Sequence, residues 1–155
     1  YGSAPLFGLA EALKSRGCRV TMALGASTSS KIYAPLEGKR AVNLLKIFTE
    51  DGSAGEIGRV TDGMPILIRE HDIRVIYSCG PMSMLAAISK IARELDLTHQ
   101  CAVEESMACG VGICMTCVVP VADKVGASAR NARTCIEGPV MDGEIVQWDM
   151  VGKQL

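Results

Sequence analysis

The chain has 155 residues, 48% hydrophobic and 21% charged, with a mean hydropathy of +0.24, a composition that buries a core and excludes a disordered polypeptide. Sixteen basic against 17 acidic residues leave a formal charge of -1, which excludes the basic footprint of a nucleic-acid binder. No apolar run reaches the roughly 18 to 20 residues of a bilayer span, and the opening Tyr1-Gly2-Ser3-Ala4-Pro5 has no signal-peptide pattern, so a soluble, cytoplasmic protein is expected.

From Pro5, the residues Leu6, Leu9, Ala10 and Leu13 recur at helical spacing and Gly17 follows as a stop, which predicts an amphipathic helix. Cys18, Val20, Met22 and Leu24 alternate with polar neighbours up to Gly25 and predict a strand. The Ser/Thr cluster at 27–30 is expected to open a weaker helix. Leu-Leu-Lys-Ile-Phe at 44–48 predicts a second strand, followed by a polar loop at 49–55 and a helix from about Thr61 to Glu70.

The rhythm then repeats. Ile73 to Tyr77 is a third apolar run, Ser78-Cys79-Gly80-Pro81 a tight turn, and Met82 to Leu95 a helix with an inner stripe of Leu85, Ile88, Ala92 and Leu95. Gln100 to Val103 predicts a fourth strand. Strands alternating with helices of this length imply right-handed crossovers and a doubly wound parallel sheet of α/β class. After Glu104 the pattern shifts to short apolar pieces, Val118 to Val121 and Glu144 to Trp148. The expected organisation is a dinucleotide-binding domain over 1–103 and a small, irregular, strand-containing domain over 104–155.

Seven cysteines are many for this length, and their odd number argues against a complete disulfide framework. Cys18, Cys79 and Cys101 lie in or beside apolar runs and have the profile of buried thiols. Cys109, Cys114, Cys117 and Cys135 form a C-x4-C-x2-C run with a fourth Cys after 17 further residues, the ligand spacing of a plant-type two-iron, two-sulfide cluster. Three thiolates converging within nine residues require a sharply folded backbone, for which Gly110 and Gly112 supply positive φ, leaving amide N–H groups free to face the sulfurs. Val111, Ile113 and Met115 are expected to shield the core. Structural zinc on four Cys normally uses two C-x2-C knuckles and only one is present; a redox pair at Cys114 and Cys117 leaves Cys109 and Cys135 without a role.

Three segments fall where an open parallel sheet binds ligands: the turn Gly2-Ser3-Ala4-Pro5, the loop Asp51-Gly52-Ser53 and the turn Cys79-Gly80-Pro81-Met82. Each alone is equally an ordinary helix-opening turn or solvated loop; their common placement is what points to a nucleotide. Cys79 fits either a buried thiol or one lying against a nucleotide ring. Ala26 is not the acidic residue often used for an NAD ribose, and Lys31 fits either a 2'-phosphate or plain solvent.

The turn at 2–6, Thr49-Glu50-Asp51-Gly52-Ser53 with Gly58-Arg59-Val60-Thr61, and Cys79-Gly80-Pro81-Met82 resemble, in order and spacing, the NAD(P)-binding half of the ferredoxin-NADP reductase superfamily. The run from Glu104 to Cys117, with Cys135-Ile136-Glu137-Gly138-Pro139-Val140 after it, narrows the resemblance to the electron-transfer subunits of NAD-dependent dihydroorotate dehydrogenases. That resemblance implies an oxidoreductase subunit of pyrimidine biosynthesis. Its partner, an FMN-containing catalytic subunit, oxidises dihydroorotate, and electrons pass through a [2Fe-2S] cluster and FAD to NAD. It also implies an FAD-binding barrel, a first sheet strand and further glycines upstream of Tyr1, so the FAD site is expected to be incomplete here and the sheet to show a gap or rearranged pairing. The readings kept open are a reductase serving another redox partner and a zinc-binding interaction module.

Overall fold

A computed structural model describes residues 2–122 and 128–152, and the chain divides into two compact units, Tyr1–Ile73 and Arg74–Leu155. Tyr1 of the glycine-rich turn lies outside the described residues.

The first unit opens with helix α1 (Ala4–Ser15), whose first turn takes Pro5 without loss because those N–H groups have no intrahelical partner. It stops where Gly17 adopts φ 84° and the Cys18 amide returns to the Leu13 carbonyl at 3.1 Å. Strand β1 (Thr21–Ala26) pairs in parallel with β2 (Leu44–Thr49), which pairs in turn with the two-residue β3 (Glu56–Ile57). Met22 and Leu24, the inward half of the predicted alternation, pack with Ala10, Ala41 and Val42. The 27–30 segment forms only one 3-10 turn, Ser29–Lys31; the helix that follows, α2 (Pro35–Ala41), waits for Pro35. The cause is local, because a residue preceding proline is disfavoured in the right-handed helical region, and Ala34 sits at φ 45°. Helix α3 (Val60–His71) starts with the Arg59 amide donating to the Asp62 carboxylate at 2.8 Å.

In the second unit, β4 (Val75–Cys79) crosses through helix α4 (Met82–Glu94) to the parallel strand β5 (Thr98–Ala102). Strands β6 (Val118–Val121) and β7 (Arg130–Arg133) form an antiparallel pair, a short helix α5 (Thr134–Glu137) follows, and β8 (Val140–Asp142) adds to the free edge of β5 in antiparallel register. One apolar core, Leu85, Cys101, Val103, Val119, Val121, Ala132, Met141 and Val146, is drawn from α4, β5, β6, β7, β8 and the residues that follow β5 and β8. This is why the compact units part at 73/74, whereas composition changes near 103: α4 and β5 bury apolar residues against those of the cysteine-bearing segment.

The class is α/β, with parallel pairs crossed by helices and a small strand-containing C-terminal region. The expected parallel sheet is divided in two, of order β1-β2-β3 and β4-β5-β8, and β1 and β4 each have a single strand neighbour among the described residues. In the apolar piece at 144–148, Val146 makes an isolated bridge to Val121 and a 3-10 turn covers Trp148–Met150. One smaller expectation is corrected. Leu95, expected on the inner stripe of α4, is exposed past the helix end, while Leu85, Ile88 and Ala92 are buried. No described helix is long and apolar enough to cross a membrane.

Candidate metal centre

The loop from Cys109 to Cys117 has no regular secondary structure and turns on three left-handed residues, Gly110 (φ 66°), Gly112 (φ 78°) and Met115 (φ 58°). The glycines do what their position predicts. The loop so folded aims amides at sulfur: Ile113 N–H lies 3.4 Å and Cys114 N–H 3.5 Å from Cys109 Sγ. The amides of Cys114, Val111 and Ile113, in that order, hold the Cys109 thiol down at about 6, so it is a thiolate at neutral pH. The Thr116 hydroxyl donates to Cys114 Sγ at 3.0 Å.

The fourth cysteine arrives through β7 and α5. The Thr134 amide bonds the Cys117 carbonyl at 2.9 Å, which brings Cys135 beside Cys117. The Cys135 amide, then its thiol, lower the Cys117 thiol below its ordinary value, while Cys135 is raised chiefly by its contact with Cys117. The Gly112 amide works in the opposite sense on Cys135, and the charge of Cys109 is felt there as well. The structure therefore places the four cysteines as two pairs, Cys109 with Cys114 and Cys117 with Cys135. Among the described residues, no three Cys, His, Asp or Glu are placed as around a single metal ion.

The donor set, four thiols with backbone amides directed at their sulfurs, fits a two-iron cluster, whose excess negative charge such dipoles offset. Shielding by Val111, Ile113 and Met115 is not observed; they are 63%, 81% and 49% exposed. A residue that sequence reading missed is Arg133, whose Nη1 donates to the Gly112 carbonyl at 2.9 Å. Its signal was faint, a basic residue two positions before Cys135.

The nucleotide candidates occupy three separate turns. Gly2 and Ser3 are half-buried ahead of α1, the Ser3 carbonyl accepts the Leu6 amide at 3.0 Å, and Ala4 and Pro5 are exposed in the first helical turn. Asp51 accepts the Ser53 hydroxyl at 2.6 Å and the Ser53 amide at 3.0 Å, which hold its carboxyl below the usual range. Gly52 is left-handed at φ 71°, and Ser53 Oγ also accepts the Ser29 amide at 2.7 Å, tying this loop to the end of β1. Cys79 ends β4, Gly80 takes φ 152°, and Pro81 and Met82 open α4. Of the three cysteines taken as buried, Cys101 is fully buried and pushed up to about 12 by that burial, with Asp142 adding to it; Cys79 is half-buried and raised for the same first reason; Cys18 is exposed, a correction that follows from its lying in the turn before β1 begins.

Comparison with known proteins bears on this geometry. A family model described as the iron-sulfur cluster binding domain of dihydroorotate dehydrogenase B matches residues 104–147, the segment that carries all four clustered cysteines. The chain is 34% identical over 148 residues to the dihydroorotate dehydrogenase B (NAD(+)) electron transfer subunit of Desulforamulus reducens, covering 96% of this chain and 56% of that one. It is 37% identical over 145 residues to the subunit of the same description from Caldanaerobacter subterraneus subsp. tengcongensis, covering 94% and 55%. The chain is thus similar to these electron-transfer subunits over most of its own length, and its residues 104–147 match the iron-sulfur cluster binding domain.

It spans about half the length of the curated family members it matches. A solved structure from work on flavin-based electron bifurcation, that of an NADH-dependent reduced ferredoxin-NADP oxidoreductase, superposes with a TM-score of 0.82 at 32% identity, covering 96% of this chain and 51% of that one. The likeness to that reductase supports the α/β class derived above.

Proposed function

We propose that this chain is the nucleotide-binding and cluster-carrying part of an electron-transfer subunit of a dihydroorotate dehydrogenase that delivers electrons to NAD in the cytoplasm. Cys109, Cys114, Cys117 and Cys135 hold a [2Fe-2S] cluster. Gly2, Ser3, Ala4, Pro5, Asp51, Gly52, Ser53, Cys79, Gly80, Pro81 and Met82 line the path of NAD or the edge of FAD. The observation that carries the reading is the pairing of four sulfurs under directed amides, within the segment matched by the cluster-binding family.

A two-iron cluster passes single electrons, NAD exchanges hydride, and a flavin converts between the two, so each centre in such a chain has a distinct task. The residues of this chain supply binding and electrostatics. The amides of Ile113 and Cys114 keep Cys109 ionised, the form that ligates iron. The Thr116 hydroxyl and the Gly112 amide add donors at Cys114 and Cys135. Gly80, at φ 152°, turns the chain at the end of β4 where a Cβ would meet the Met84 side chain, and Pro81 fixes the direction of α4.

The partner implied is an FMN-containing subunit that oxidises dihydroorotate. Purification of the natural-length protein from its native host tests this; co-elution of an FMN-bearing, dihydroorotate-oxidising chain is expected, and its consistent absence contradicts the assignment. A second reading, a reductase serving another redox partner, draws support from the likeness to the NADH-dependent reduced ferredoxin-NADP oxidoreductase. Co-elution of a different flavoprotein or a ferredoxin decides for it.

A further inference from the structure

Arg133 is fixed against the cysteine loop from outside it. Its guanidinium Nη1 donates to the Gly112 carbonyl at 2.9 Å in a partly buried setting, and Gly112 in turn directs its amide at Cys135. The residue after Arg133 bonds the Cys117 carbonyl, and the next is Cys135 itself, so the backbone that carries the cation lies against Cys117 while its guanidinium holds the loop between Cys109 and Cys114. Among the described residues, Glu137 pairs with it: the carboxylate accepts Arg130 Nη1 at 2.6 Å and the Arg133 amide at 3.0 Å, with Arg133 Nε 3.8 Å away, so one carboxylate is shared by two guanidiniums.

We propose that Arg133 is a positioning residue that sets the reduction potential of the cluster held by Cys109, Cys114, Cys117 and Cys135. The proposal rests on the reading of those four residues as iron ligands. Reduction adds one electron to the site, with no bond made or broken and no proton taken up in the step. A fixed cation beside the site lowers the energy of the reduced form more than that of the oxidised form, since the interaction scales with the charge added. Arginine suits this task because it is charged at every accessible pH and its planar fork is held by the Gly112 carbonyl. At 38% side-chain exposure its field is partly screened, so the effect weakens as salt rises.

The test is an anaerobic potentiometric titration of the natural-length protein, followed by the electron paramagnetic resonance signal of the reduced state. R133Q is expected to assemble the cluster with a more negative midpoint than the parent, R133K to stay near the parent, and E137Q to move to a more positive midpoint. An R133Q cluster at the parent's midpoint overturns the proposal, as does an R133K shift as large as that of R133Q, which would assign the effect to loop geometry. If R133Q fails to assemble, E137Q decides: a midpoint equal to the parent's overturns the proposal. A parent protein with no iron-sulfur signal is a separate result that removes the ligand reading itself.

Discussion

The Thr116 hydroxyl donates to the sulfur of Cys114 across 3.0 Å, so the second cysteine of the run has a side-chain donor where the first has amides. A donor to a ligand sulfur stabilises added negative charge. T116V is therefore expected to assemble the cluster at a more negative midpoint, with T116S close to the parent. Potentiometry on both variants checks this, and equal midpoints for T116V and the parent contradict it.

The four-sulfur arrangement leaves no spare ligand. Replacing Cys114 with Ser removes the partner of Cys109, and C114S is expected to lose iron and labile sulfide entirely. Helices α1, α3 and α4 lie outside the cysteine loop, so the far-ultraviolet helical signal should remain. Full iron content in C114S would reassign the ligand set.

His99 is buried between two hydroxyls, Ser78 Oγ at 2.6 Å from Nε2 and Ser89 Oγ at 2.9 Å from Nδ1. Burial lowers its pKa from 6.5 to about 4, against a smaller opposite effect from Asp142. Below pH 6.5 the unfolded chain takes up a proton here that the folded chain refuses. The stability tied to this group is thus complete above pH 6.5, falls between 6.5 and about 4, and levels off below. The whole difference is about 3 kcal/mol. Urea midpoints at a series of pH values measure it, and H99Q should flatten the slope in that window; parallel slopes for H99Q and the parent would show that other groups carry it.

Gly143 closes over the same network. A Cβ there would lie 2.3 Å from His99 Nδ1 and 2.7 Å from Ser89 Oγ, both in buried groups that have no room to withdraw. G143A is expected to cost about 1–3 kcal/mol by displacing the imidazole and unpairing a buried hydroxyl. Chemical denaturation compares it with the parent, and equal stability would mean that the turn after β8 relaxes freely.

The parts of this fold visible in the sequence are those with local causes. Leu44 to Phe48 and Met82 to Glu94 carry a mostly apolar run and a helical stripe, and each became the element predicted. Elements whose cause is a distant partner were illegible. β7 reads Arg-Asn-Ala-Arg and is a strand because β6 pairs with it; β8 has three residues and exists through the edge of β5, 40 positions away at the Cys101 to Met141 pair. The cysteine spacing foretold the left-handed Gly110 and Gly112, since they follow from the loop's own length. It could not foretell that Val111, Ile113 and Met115 face solvent, or that Arg133 clamps the loop, because those depend on where β7 and α5 return.

The central claim is tested most directly by metal and labile-sulfide analysis of the anaerobically purified natural-length protein, read together with its visible absorption. About two iron and two sulfide per chain, with a charge-transfer spectrum that bleaches on reduction, is the result expected of four thiolates around a two-iron core. One zinc per chain with no labile sulfide would contradict the account and leave a zinc-binding interaction module in its place.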